Sequence, residues 1–406
     1  MLSVANRLGV RNLWRRRRRS VLTWLMIAAG TTLVVFTVGL SEGTYKQMID
    51  LATRGSTGQF QLQAEGFLDK PSLFRNIAAD DSLARALAAR PEVKAITPRL
   101  ETAGLLAAGV RSTGVMLVGV DPVREGEVTS LPGTVVEGAW LDPAAPGGDT
   151  PPLLLGRGLA LRLGVALGDT LSFVSQAADG SIAAQLYLLT GLIATGAQEA
   201  DASLAVARIG DLQELLVLPG RAHRLVGTLH RLGELDHLLA TFDPGPGRRL
   251  LGWPTLLPDL HSSIQADRAG GRISLAILIA VALLGVGNTM LMSVFERTKE
   301  FGVMLALGTA PGRLVRAVLW EAFWLSLGGV LAGVLVGTVI NLRVALPVGS
   351  EPIEFGGVAL SVMHAANTVQ GNVVYPLIIF GAGLVAGLLP ALRAARLAPV
   401  EALSHH

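Results

Sequence analysis

Four stretches of about 20 residues carry almost no charge: Val21–Leu40, Ile273–Val294, Ala317–Ile340 and Val373–Leu389. A helix needs roughly 20 apolar residues to cross about 30 Å of hydrocarbon, so each stretch is long enough to span a bilayer. Composition agrees. Only 16% of the residues are charged and half are hydrophobic, with a mean hydropathy of +0.50, whereas soluble domains carry about 25% charged residues. The interval between the first two stretches has ordinary soluble composition. The expected fold is a polytopic α-helical membrane protein with four transmembrane helices and a large α+β extracytoplasmic domain between the first and second.

Charge sets the orientation. Arg15–Arg19 lie directly before the first apolar stretch, and Lys and Arg collect on the cytoplasmic side of spans. Arg297, Lys299, Arg313 and Arg316 place the connection between spans two and three on that same side, as do Arg393 and Arg396 for the C-terminus. The division that follows is a basic, amphipathic N-terminus (1–19), helix one (20–40), an external domain with helical stalks (41–271), helix two (272–294), a cytoplasmic connection (295–312), helix three (314–340), an outer loop (341–372), helix four (373–392) and a cytoplasmic tail (393–406). The first apolar stretch is too long for a cleaved signal peptide and lacks a small-residue cleavage site. A helix continuing from Asp259 to Val294 would be about 54 Å long, roughly 24 Å beyond the hydrocarbon. Together with a continuation of helix one through Ser41–Leu51, this predicts two stalks, with Gly270-Gly271 as a break or hinge in the second.

The external interval alternates strand and helix signals. Gln59–Glu65, Val93–Ala108, Thr113–Val120, Leu153–Leu155, Asp169–Ser175, Gln185–Ile193, Ser203–Ile209 and Leu225–Leu229 read as strands. Asp80–Arg90, Gly158–Leu163 (with Gly164 as its C-cap), Asp211–Leu218 and Leu232–Phe242 read as helices, and Gly133–Asp149 as loop. The expected arrangement is an outer subdomain (about 55–122 and 201–245) with a second subdomain (about 123–200) inserted into it.

Several chemistries are excluded. There is no cysteine, hence no disulfide and no thiolate site. No GxxxxGK[ST], GxSxG or HExxH occurs, so any ATP-driven activity is expected from another polypeptide, and this chain is expected to be non-catalytic with no cofactor of its own. His223, His230 and His237 recur every seven residues. On one helix they would lie about 10.5 Å apart along the axis, too far to share an ion through bonds of about 2.0–2.1 Å, and a solvated face is expected instead. The basicity is local, and no nucleic-acid partner is expected.

The connection Phe295–Gly312 is charged at one end (Glu296, Arg297, Lys299, Glu300), apolar at the other (Phe301, Val303, Met304, Leu305, Ala306, Leu307) and stopped by Gly308 and Pro311-Gly312. A segment of this kind, tethered to two spans, can dock into a soluble partner and pass force to the membrane. In the third span Gly329, Gly333 and Gly337 repeat every four residues, a smooth face for close helix packing, either within the chain or against a second subunit. Glu321 sits in the same span, to snorkel to the interface or to pair with Arg316 or Arg313; Asn288 is a polar residue of similar standing in the second span. Polar groups within spans are costly and by default functional.

The stretch ERTKEFGVMLALGTAPGRLVRAVLWEAFWLSLGGVLAGVLVG and the closing PALRAARLAPVEAL resemble the FtsX/MacB-like permeases, the membrane subunits of mechanotransmitting ABC transporters. Glu137–Leu141, Leu155–Thr170 and GQFQLQAEGFL resemble the lipoprotein-releasing LolC/LolE branch. The resemblance implies a coupling helix at Glu296–Gly308, two copies of a cytoplasmic ABC ATPase holding ATP and Mg²⁺, a second permease subunit in a homodimer or heterodimer, and a place in the bacterial inner membrane. It implies that hydrolysis is relayed along the stalks to the periplasmic domain, which acts on lipoproteins or another amphiphilic substrate, or on an adaptor. MacB-like efflux of peptides or small toxins is the alternative within the family. An FtsX-like scaffold activating a cell-wall hydrolase is the alternative outside transport.

Overall fold

The computed structural model describes residues 17–144, 150–196, 198–347, 353–355, 358–360 and 362–395. The expected N-terminal amphipathic helix and the end of the C-terminal motif lie outside these residues. The chain forms two compact units, one of Met1–Gln47, Ile264–Glu351 and Ser361–His406, the other of Met48–Ser263 and Pro352–Leu360.

Among the described residues, four helices are long and apolar enough to cross a membrane: Ser20–Gly55, Pro258–Phe295, Pro311–Arg343 and Gln370–Leu392. The first is α-helical over Arg17–Ala52 and ends in a wide turn at Thr53–Thr57, closed by Gly58 at φ +68°. The second runs 38 residues from Pro258 to Phe295 without a break at Gly270-Gly271. Both helices therefore extend well past their apolar stretches. The glycine face of the third helix is occupied by the first helix of the same chain. A Cβ on Gly329 would fall 2.7 Å from Ile27 Cβ, one on Gly333 2.5 Å from Thr31 Cβ, and one on Gly337 2.8 Å from Val35 Cβ. Around this contact Ile27, Val34 and Val38 pack with Val286, Met290, Ala322, Leu325, Val330 and Ile379. Asn288 does not join that packing: it is exposed, because Val286 and Met290, which are buried, put the opposite face of their helix inward.

The other unit contains strands β1 (Phe60–Ala64), β2 (Ile77–Ala78), β3 (Val93–Ala108), β4 (Arg111–Val120), β5 (Val135–Gly138), β6 (Pro152–Gly156), β7 (Thr170–Gln176), β8 (Ile182–Ile193), β9 (Leu204–Arg208), β10 (Arg221–Ala222), β11 (Arg224–Leu229) and β12 (Arg248–Gly252). β5 lies where the sequence suggested only loop, and β12 had no recognised signal. The pairings β3–β4, β4–β9, β9–β6, β6–β8, β8–β7 and β7–β3 close a ring of strands. The side-chain period of two sends Leu106, Val115, Leu117, Leu153, Leu155, Leu171, Phe173, Tyr187, Leu189, Ala205 and Ala207 into one buried core. Gly104 makes closure possible: a Cβ there would meet the Phe173 ring at 2.3 Å. The helices Arg157–Leu163 and Ile209–Leu215 contribute Leu159, Leu163 and Leu212 to the same core. Gly164, at φ +70°, caps the first of these. The ring joins the stretch 123–200 to its flanks through shared hydrogen bonds and a shared core, so the two expected subdomains form one packed body.

β12, β1 and β11 continue the sheet from β3. The alternation QFQLQ reads as a strand with a wet face, yet Gln59, Gln61 and Gln63 are all buried. Gln59 accepts from the Leu229 amide at 2.9 Å, and Gln61 donates to the Thr57 carbonyl at 2.6 Å. On the same face Arg99 and Glu125 form an ion pair with side chains 4% and 0% exposed, and Thr129 donates to Glu125 at 2.6 Å.

The three histidines share no solvated face. His237 is exposed and lies 2.9 Å from Glu92, whereas His223 is 2% exposed and stacks on Phe67 with ring centroids 5.0 Å apart. Its Nδ1 accepts from the Glu101 amide at 3.0 Å, and burial pushes its pKa down to about 4. Between that value and about 6.5 the unfolded chain binds a proton that the folded chain refuses. Stability should therefore be flat above pH 7 and fall by on the order of 3 kcal/mol as the pH drops from about 6.5 to about 4. Thermal unfolding against pH checks this, and His223→Asn should flatten the slope in that window.

Candidate functional site

The second helix stops at Phe295, and the next, at Pro311, begins with proline at its first turn, where the missing N–H costs nothing. Between them lies a short helix, Thr298–Ala306, entered through Arg297 and left through Leu307. Gly308 at φ +85° reverses the chain, a conformation that side chains resist. The result is a compact elbow between two long helices.

Its inner face is apolar. Phe301, 2% exposed, packs with Val294, Leu314, Val318 and Ala391, and Met304 and Leu305 lie against the same cluster. Arg297 is buried at 8% exposure. Its Nη1 donates to Glu321 at 3.0 Å, its Nε to Glu300 at 3.4 Å, and its guanidinium lies 5.0 Å from the Phe301 ring centroid. Glu321, 12% exposed in its side chain, thus takes a cation from the elbow, where the sequence pointed to Arg313 or Arg316 in its own helix. The pair ties the elbow to the third helix through a poorly solvated, two-ended contact, stronger than a surface bridge.

The outer face is set by what remains. Glu296, Lys299, Glu300, Val303, Leu307 and Gly308 are exposed, with Arg313 beyond them. Leu307 is 81% and Val303 44% exposed, an apolar tip beside mixed charge. Of the residues expected to dock a partner, Glu296, Lys299, Glu300, Leu307 and Gly308 are therefore on the accessible side. Arg297 and Phe301 are buried beneath it, and Met304 and Leu305 are half-buried there. Val303, part of the apolar run read from the sequence, is on the accessible side too, because its position two residues after Phe301 on a helix turns it outward.

On the other unit, the ring strands present an unusual outer surface. No charged residue occurs in Ala103–Ala107, Ser112–Met116, Thr170–Gln176 or Ile182–Leu188. The outward positions include Leu105, Met116, Val174, Ile182, Leu186 and Leu188, between 37% and 80% exposed. Adjacent strands bring them together: Leu105 opposes Val174, and Val174 opposes Ala184.

Comparison with known proteins adds independent findings. Residues 20–218 match the MacB-like periplasmic core domain family, and residues 272–399 match the FtsX-like permease C-terminal family. The lipoprotein-releasing system transmembrane protein LolC of Xylella fastidiosa is 26% identical over 100% of this chain and 99% of its own length. The corresponding LolE of Haemophilus influenzae is 25% identical over 80% of each chain. The macrolide export ATP-binding/permease protein MacB of Acinetobacter baylyi is 26% identical over 99% of this chain, which spans 60% of that protein.

Proposed function

We propose, from the premise that the chain belongs to the FtsX/MacB-like permease family, that it relays ATP hydrolysis on a partner chain to its large outer domain. It is a permease component of an ABC transporter of the inner membrane. ATP and Mg²⁺ sit on two copies of a separate cytoplasmic ATPase, and a second permease subunit completes the complex. The Lys and Arg residues of this connection support a cytoplasmic position for the elbow. The substrate is a lipoprotein or another amphiphile held at the outer leaflet.

One observation carries the relay: the elbow's outer face is solvent-accessible while its inner face is fastened to the third helix through Arg297 and Glu321. A partner gripping Leu307, Val303 and the adjacent charges would move the helices themselves. For the substrate, the support is the full-length match to a lipoprotein-releasing protein together with the charge-free outer surface of the ring strands, since apolar patches of this sort mark contact with apolar groups. The match to the macrolide exporter favours efflux of an apolar small molecule as the second reading.

The decisive experiment co-expresses the chain with the ATPase and introduces Glu296→Lys with Glu300→Lys. The expected result is loss of co-purification and of permease-stimulated hydrolysis, with the chain still accumulating in the membrane. Intact assembly and stimulation would overturn the docking role of the elbow.

A further inference from the structure

Just past its apolar stretch the first helix turns polar, with Glu42, Tyr45 and Gln47 within about a turn and a half. The second helix is polar through Asp267 and Arg268, just before its own apolar stretch begins at Ile273. The two helices meet here. Arg268 Nη2 donates to Glu42 at 2.8 Å, and its guanidinium lies 5.2 Å from the Tyr45 ring centroid. The Tyr45 hydroxyl donates to the Asp267 carboxylate. The neighbouring face of the first helix is bare at Gly39 and Gly43, and the segment leading into the fourth helix lies on it. A Cβ on Gly43 would be 2.0 Å from the His364 carbonyl oxygen, and the Ala366 amide donates to the Gly39 carbonyl at 2.8 Å. Gln47 completes that face, accepting from the His364 amide at 3.0 Å with its own amide nitrogen 2.6 Å from His364 Nδ1.

We propose that Glu42, Tyr45 and Gln47, closed on Asp267, Arg268 and His364, form a clasp that fixes the axial register of the two stalk helices, so that a push on one is carried by both. The inference rests on the permease reading above. Its physical basis is directionality. Apolar helix faces slide with little change in contact, whereas hydrogen bonds of about 2.7–3.2 Å do not survive a shift of one residue, about 1.5 Å. Because the links between the two stalk helices share Arg268 and Tyr45, they release together, which gives two states, engaged and released, in place of a continuous slide. Glycines at positions 39 and 43 let the approach to the fourth helix close over the same turns, so three chain segments are held at one level.

The test uses the full chain with its ATPase in lipid nanodiscs. The absence of cysteine allows clean nitroxide labelling of Lys46→Cys and Ala266→Cys. The parent should give one narrow label–label distance. Tyr45→Phe with Arg268→Met should broaden it and lower the permease's stimulation of ATP hydrolysis several-fold, with the hydrolysis of the ATPase alone and assembly unchanged. The swap Glu42→Arg with Arg268→Glu should be narrower and better stimulated than either single change. A distance as narrow in Tyr45→Phe/Arg268→Met as in the parent, or a swap no better than the single changes, would overturn the clasp. Failure of the permease reading shows itself separately, as a parent complex that does not stimulate the ATPase, and the distance measurement remains readable on the chain alone.

Discussion

Replacing Arg297 by alanine should destabilise its unit by about 3–5 kcal/mol and abolish stimulation of the partner ATPase. The change leaves the Glu321 carboxylate, 12% exposed, without its guanidinium, and removes the cation from above Phe301. The energy is large because a charge stranded in poor solvent costs more than the pair contributed while intact. The double change Arg297→Met/Glu321→Leu strands no charge. It should recover most of the thermal stability of the detergent-purified protein while the elbow loses its polar anchor. An Arg297→Ala protein that unfolds within about 1 kcal/mol of the parent would show that the pair holds nothing.

The second large effect belongs to the outer domain. Glu125→Ala should cost about 3–5 kcal/mol, because Arg99 keeps its charge at 3% exposure and Thr129 loses its acceptor. Glu125→Gln keeps an acceptor for Thr129 and loses only the charge, so it should fall between the parent and the alanine variant. Resistance to proteolysis during a temperature series reads the order directly. Equal stability of the alanine variant and the parent would mean that water reaches the site.

The contrast between these two sites shows what the chain reveals by pattern. Long apolar stretches and the stop signals at Gly308 and Pro311 are local, and they fix the four helices and the elbow between two of them. The helical cap at Gly164 is local too, whereas Asp81, read as part of the first turn of Asp80–Arg90, caps a helix that begins only at Ser82. Pairings are not local. By sequence distance Glu321 would pair with Arg316 or Arg313, five and eight positions away, yet its partner lies across the elbow, 24 positions away. Gln59, Gln61 and Gln63 alternate as a half-wet strand should, and only the pairing of β1 between β12 and β11, under the turn Thr53–Thr57, explains why they are dry. The glycine repeat in the third helix marks a face that helices can approach closely, but nothing in it names Ile27, Thr31 and Val35, the residues that lie against it. The ring of strands was least legible, because its closing contact, Leu105 to Val174 and Leu106 to Phe173, joins strands far apart in the chain.

That closing contact bears on how long the outer domain stays folded. An open sheet can fray from its edge strands one at a time, so local opening costs less than global opening. A closed ring offers no first strand to peel. Its members must part together, and the native state is then guarded by a high barrier to unfolding as well as by its free energy. Amide exchange in β3, β4, β7 and β8 should accordingly be slow and uniform, while β12 and β5, at the two open ends of the sheet, exchange first. For a domain beyond the reach of cytoplasmic chaperones, lifetime in the folded form matters more than depth of the well, and the ring supplies lifetime.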